Sequence, residues 1–221
     1  MQTYAEKYMV DSIANILKTE NFNNEKVLNI GAGSSISIED QIDKMGVSFL
    51  SDRLDVENCD VKHRFIDKSY IESIEDAKSL DSNKYKLAFS NYVFEHVKDI
   101  DSAVSEVSRI LKNDGYFLMT VPNPNAPEFI FSRITPLWFH RAIRGGSGWK
   151  TYYSYKNIKN LIKLFENNNF DVIEVKYFPA VLTYFYRFPI LKQLAIVYEW
   201  LLKTFRLNKL MGNVCLIFKK K

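Results

Sequence analysis

The chain has 221 residues, 47% of them hydrophobic, with eight Gly, six Pro and a formal net charge of +4. That length and apolar fraction suit one domain, residues 1–221, with a sizeable core, and they exclude a disordered, collagen-like or low-complexity chain. Two cysteines, Cys59 and Cys215, stand far apart; a disulfide framework or a zinc or other metal site is not expected, and a reducing cytoplasmic setting fits.

The first residues lack a basic segment followed by an apolar run, so they do not read as a signal peptide. Met9, Ile13, Ile16 and Leu17 instead follow the helical period. Val27–Ile30 reads as a buried strand, 35–45 as a helix, and "VSFL" at 47–50 as a second strand ending at Asp52. A third strand is poorly marked within 61–75. "YKLAFS" (85–90) is an apolar, short fourth strand, and 99–111 is a helix with Asp99 or Asp101 near its N-cap and Ala103, Val104, Val107, Ile110 and Leu111 inward. Gly115 stops that helix and "YFLMTV" (116–121) is the fifth strand. A helix over 154–169, a strand over 170–178 and a final strand over 213–220 complete the pattern. Alternation of this kind demands an α/β fold with a mostly parallel sheet and helices on both faces. Two segments interrupt it, 125–153 and 179–211, and they hold most of the surplus aromatics.

The first strand runs into Gly31-Ala32-Gly33. Glycines there let the backbone come close to a ligand beyond the carboxyl end of the sheet. A dinucleotide fingerprint needs a third glycine at the position held by Ile36, which counts against a nicotinamide oxidoreductase. Asp52 lies 19 residues after Gly33, where a carboxylate can accept from both ribose hydroxyls, and Asp76 in "IEDAKSL" can meet an adenine amino group.

These residues, with "SNYVFEHV" (90–97) and "RILKNDGYFLMTVPNP" (109–124), resemble the class I S-adenosylmethionine-dependent methyltransferases, in particular their type 11-like branch. The resemblance covers 25–125 and continues through 150–178. It implies a Rossmann-like seven-stranded sheet with an antiparallel last strand, S-adenosylmethionine as cofactor, and glycines passing under the cofactor's methionine part. Carried over by motif, Asn29, Gly31, Ala32 and Gly33 belong to the glycine loop. Asn29 stands where the family usually has an acid for the cofactor's amino group, and Ser35 replaces the last motif glycine. Asp52 matches the ribose acid, with Asp55 close enough to contest the role. Asp76 and Ala77 match the adenine side; Ser90 and Asn91 match the lining of the methyl-donor pocket. Glu95-His96 reads as a cap and packing pair.

On the acceptor side, His140 is the candidate general base, because an imidazole takes a hydroxyl proton near neutral pH. Tyr152 and Tyr153 are weaker candidates. Arg141 and Arg144 lie among Trp138, Phe139 and Trp149 and, with Tyr153, suit an acceptor carrying phosphate or carboxylate on a sugar- or ring-shaped body. Gly145, Gly146 and Gly148 would let that segment act as a lid. A small-molecule or sugar-containing acceptor, methylated on oxygen or nitrogen, is expected, and the resemblance adds a surface-glycan or secondary-metabolite context. Nucleic acid is poorly supported, since no RNA-binding module is recognisable.

Residues 179–210 are apolar but interrupted by Arg187, Lys192, Glu199 and Lys203, too often for a transmembrane span. Their helical spacing suits packing, internal or in a homodimer, or peripheral contact with a membrane that carries a lipid-linked or quinone-like acceptor. From Lys176 onward nine Lys and Arg face one acid, Glu199, so the tail suits an anionic partner. Because Asn29 and Ser35 depart from the family pattern, a non-catalytic scaffold that kept the fold also stays open.

Overall fold

A computed structural model describes residues 2–20, 22, 25–134 and 151–221. Among the described residues there are seven strands: β1 Lys26–Ile30, β2 Leu50–Asp55, β3 Ile66–Ile71, β4 Tyr85–Asn91, β5 Leu111–Pro122, β6 Phe170–Phe178 and β7 Asn213–Lys220. They form one sheet in the order β3-β2-β1-β4-β5-β7-β6. β7 runs antiparallel to both β5 and β6, and the other pairs are parallel. The order reverses between β1 and β4, so their carboxyl ends diverge and leave a crevice there.

Helix α1 (Tyr4–Thr19) starts where the Thr3 side chain accepts from the Glu6 N–H, and it buries Met9, Val10, Ile13 and Leu17 on one stripe. It shares that face of the sheet with α2 (Ser37–Lys44), over Val27, Leu87, Phe89 and Leu118. On the opposite face lie α3 (Ile100–Ile110), capped by Asp99 accepting from Ser102 N–H, and α5 (Ile158–Asn167), capped by Asn157. Their core is aromatic: Phe165 stacks on Phe218 with centroids 4.2 Å apart and on Phe117 at 5.4 Å. Helix α4 (Pro127–Ile134) follows β5. Two more, α6 (Val181–Phe185) and α7 (Pro189–Thr204), connect β6 to β7.

The seven-stranded, mostly parallel α/β sheet with its antiparallel last strand is as the sequence implies. β3 is Ile66–Ile71, inside the region 61–75 expected for it. Two strand boundaries differ. β5 begins at Leu111, before Gly115. β2 begins at Leu50 and runs to Asp55, so Asp52 does not end a strand.

Asp52 is fully buried in mid-strand. Its carboxylate accepts from the Tyr85 hydroxyl at 2.8 Å and is flanked by Lys84 Nζ at 3.1 Å and Lys26 Nζ at 3.3 Å. Burial, then the hydrogen bond to Asp52, holds the Tyr85 phenol far above its ordinary pKa. The group is a tie between the amino ends of β1, β2 and β4. Asp52→Ala would leave the buried Tyr85 hydroxyl without an acceptor and two lysines without their shared anion. The expected loss is about 3 kcal/mol of stability, read as a lower urea midpoint with an unchanged slope.

Candidate functional site

The glycine loop is held from below by a fully buried arginine. Arg53, in β2, donates from one guanidinium nitrogen to the carbonyls of Ala32 (2.8 Å), Gly33 (3.2 Å) and Ser35 (2.6 Å). From above β2, the Gly31 and Ala32 amides donate to the Leu54 carbonyl. Gly31 (φ +71°) has no room for a side chain, because a Cβ there would run into Val93. Gly33 (φ +55°) differs: nothing lies within 4 Å of where its Cβ would stand. Its bare backbone faces open space, as a ligand-approach glycine must.

The charge of Arg53 is balanced by Glu39, a fully buried acid in the first turn of α2, whose Oε1 lies 3.9 Å from Arg53 Nε. That same oxygen accepts from Asn29 Nδ2 at 2.7 Å. The second oxygen, Oε2, is buried without a hydrogen-bond partner among the described residues.

Two cavities flank the loop. One, of about 490 Å³, is bordered by Gly33, Asp55, Ile74, Tyr92, His96 and Tyr152. The other, of about 430 Å³, is bordered by Glu6, Asn29, Ala32, Ser35 and Glu39. Gly31 and Asn91 border both, so together the cavities make one groove along the carboxyl ends of β1, β2 and β4. Described residues lining it include six acids (Glu6, Glu39, Asp55, Glu57, Glu72 and Glu75) and, of Lys and Arg, Lys98. Burial raises the pKa of Glu6. A wall of this sign favours a ligand with positive charge.

Asn29, Gly31, Ala32, Gly33 and Asn91 therefore come together at the groove. Asp52 does not. The acid at the end of β2 is Asp55, whose Oδ2 accepts from the Gly33 amide at 2.8 Å and whose Oδ1 accepts from Glu57 N–H at 2.9 Å. The three-residue difference places the carboxylate at the carboxyl end of β2 instead of within the strand.

Asp76 and Ala77 are displaced in the same sense. The turn after β3 sends the Asp76 side chain into solvent, paired with Lys78 at 2.8 Å, and buries Ala77, whose carbonyl accepts from Arg109. Ser73, Ile74 and Glu75 face the first cavity in their place. Ser90 is fully buried in β4 and borders neither cavity. Tyr153 (φ +49°) packs edge-on to Phe129 and Tyr155, while its neighbour Tyr152 lines the groove. His140, Arg141 and Arg144 lie outside the described residues, as does the glycine run 145–148.

Several groove residues had weaker sequence signals. Glu39 could have been suspected as an acid at the start of the helix after the glycine loop, and Arg53 as a charge inside a strand. His96, read as half of a packing pair, lines the first cavity. Its partner Glu95 is the structural one. Glu95 is 5% exposed, and its backbone carbonyl accepts from the amides of Tyr152 (2.8 Å) and Tyr153 (3.2 Å), fastening the returning chain beside the groove.

Burial pushes the Glu95 carboxyl up to about 8. A carboxyl whose folded pKa exceeds its unfolded value favours folding while protonated, and that contribution is lost as pH rises from about 4.5 through about 8. In thermal unfolding across that window, Glu95→Gln should melt progressively higher than wild type as pH climbs. A gap that stays constant with pH would show that Glu95 does not titrate with folding.

A family model described as "Methyltransferase domain" matches residues 1–175. A search of curated proteins finds no match. Among solved structures, the geranyl diphosphate C-methyltransferase of Streptomyces coelicolor, crystallised with Mg2+, geranyl diphosphate and S-adenosyl-L-homocysteine, superposes with a TM-score of 0.62 at 13% identity, covering 98% of this chain and 79% of that one. An S-adenosylmethionine-dependent methyltransferase from Mesorhizobium loti gives 0.58 at 14% identity, covering 96% and 100%. One from Archaeoglobus fulgidus gives 0.59 at 16%, covering 97% and 94%. These likenesses establish the shared fold, and the family match covers most of the chain. The chain belongs to the methyltransferase domain family, in its class I, S-adenosylmethionine-dependent form.

Proposed function

We propose that this chain transfers the methyl group of S-adenosylmethionine to an oxygen or nitrogen of a small-molecule or sugar-containing acceptor. The observation that carries the reading is the acid-lined groove in two parts, joined at Gly31 and Asn91 beneath the bare backbone of Gly33. Such a groove suits a ligand with a nucleoside at one end and a cationic amino acid at the other.

The residues present fit that cofactor. Asp55 is placed to accept from the ribose hydroxyls, and Ile74 to pack against the adenine. Glu39, whose buried Oε2 has no hydrogen-bond partner among the described residues, faces the second cavity and replaces, from α2, the carboxylate that Asn29 lacks. It would receive the ammonium group. When bound, the cofactor's sulfonium supplies a methyl group already activated for in-line substitution. The protein's task is then to position the nucleophile and exclude water, with a base only where the acceptor needs one. Tyr92, His96 and Tyr152 line the same wall, and His96 joins His140 as a candidate proton acceptor. Arg141 and Arg144 keep their proposed place on the acceptor side.

A lipid-linked or quinone-like acceptor is a second reading. The observation favouring it is the exposed apolar surface of α7.

Calorimetric titration tests the cofactor site. Wild type should bind S-adenosylmethionine and S-adenosylhomocysteine at micromolar levels and should not bind NADH. Asp55→Ala should weaken binding by about tenfold or more, the value of a charge-assisted hydrogen bond pair, and cost about 1–2 kcal/mol of stability through the freed Gly33 and Glu57 amides. Glu39→Gln should weaken S-adenosylmethionine similarly. Asp52→Ala, folded below its lowered melting point, should bind nearly as wild type does. No binding of either sulfur compound would leave a scaffold that kept the fold. Full affinity in Asp55→Ala would return the ribose role to another residue.

A further inference from the structure

The segment between β6 and β7 carries an unusual surface. Twelve of the twenty exposed large hydrophobic residues among those described lie within 186–210. Helix α7 contributes most of them. It packs on the protein through a narrow stripe, Ala195, Glu199 and Leu202, at the i, i+4, i+7 spacing. Its opposite arc is apolar and open: Ile190 is 79% exposed, Leu194 62%, Val197 55% and Trp200 60%. Phe205, just past the helix, is 65% exposed. No charged residue interrupts that arc; Lys192 and Lys203 stand at its border.

The charges at the border have one sign. Arg187, Lys192, Lys203, Arg206 and Lys209 are all exposed. Glu199 is the single acid between 186 and 210, and it points inward, its Oε1 accepting from the Leu182 amide at 2.8 Å. The outer surface therefore presents apolar side chains rimmed by five cations and no anion. A second copy of the chain fits this poorly, because a two-fold contact sets the same patch against itself and would oppose cation to cation. A span is excluded too: α7 has 16 residues, short of the roughly 20 needed to cross a bilayer. An anionic lipid surface fits both features at once. Apolar side chains and the amphipathic Trp200 enter the acyl boundary while Lys and Arg meet the head groups.

We infer that α7 and its flanks dock this protein on an anionic membrane surface. The position of the segment gives the docking a purpose. It leaves the sheet at Phe178 and returns at Asn213, two residues paired in register beside Pro122 at the carboxyl end of β5. That is the end of the sheet, at the carboxyl ends of the parallel strands, along which the groove also runs. Lys203 also lies over the Tyr4 ring, 4.9 Å from its centroid, at the start of the helix whose Glu6 lines the second cavity. A bilayer held by α7 would lie toward the end of the sheet along which the groove runs. Resting on the proposed methyl transfer, this points to an acceptor presented from a lipid surface.

The test is co-sedimentation of the full chain with vesicles of phosphatidylcholine alone and of phosphatidylcholine with about one-third phosphatidylglycerol, beside sedimentation-velocity measurement of its mass. Wild type should be monomeric, should bind the anionic vesicles and should largely ignore the neutral ones. Leu194→Glu/Trp200→Glu should lose at least tenfold in partitioning. Lys192→Gln/Lys203→Gln, which leaves the apolar arc intact, should lose about fivefold per cation removed. All these positions are exposed, so melting temperatures should hold. Equal binding to neutral vesicles, or none to either, overturns the inference. So does a wild-type dimer that Leu194→Glu/Trp200→Glu splits, because the face would then belong to a second copy. Vesicle binding is independent of cofactor binding, so either reading can fail while the other stands.

Discussion

The guanidinium of Arg53 is the point on which the groove depends. A glycine loop is soft, and its carbonyls need donors if it is to keep one shape. Arg53 supplies them to three carbonyls from within the sheet. A fully buried cation is costly unless compensated, and Glu39 compensates it from α2. Asn29 then makes sense at the position where the resemblance implies a carboxylate. An acid at that position would set two buried carboxylates side by side, whereas the amide donates to Glu39. In the proposed reading, the negative charge that greets the cofactor has moved from the strand to the helix, and Arg53 makes the move affordable.

Much of the fold was legible because its signals are local and redundant. The apolar runs of β4, β6 and β7, the Asp99 cap and the spacing of Ala103, Val104 and Val107 each specify one element, and alternation specifies a parallel sheet. The edge of β2 was not legible. In "VSFLSDRLDV" the apolar run stops at Leu50, and Ser51, Asp52 and Arg53 look like a loop. They are buried strand residues whose polarity is spent on partners far away in sequence: Lys26, Lys84 and Tyr85 for Asp52, the glycine loop for Arg53. Only tertiary pairing tells a buried ion network from a solvated turn.

The same cause explains the candidate site. Gly31, Ala32 and Gly33 were expected at a strand end because their chemistry is visible in their identity, and they do border the groove. Asn91 borders it too, as the last residue of a clear strand. Asp76 and Ala77 stay off the groove, since the turn after β3 has no strong periodicity and its direction is set by hydrogen bonds such as Glu75 accepting from the Lys98 and Asp99 amides. Glu39 lies ten residues from Asn29, across a helix start that sequence alone leaves undirected.

The β6–β7 connection has a consequence of another kind. Its two ends, Phe178 and Asn213, are already partners in an antiparallel ladder, and neighbouring antiparallel strands can be joined by a hairpin turn of two to five residues, roughly. The sheet therefore closes without most of what lies between them. The intervening residues act as an appendage that topology permits but does not require. It can be lengthened, shortened or resurfaced while the parallel half of the sheet, and the loop that Arg53 holds, stay untouched.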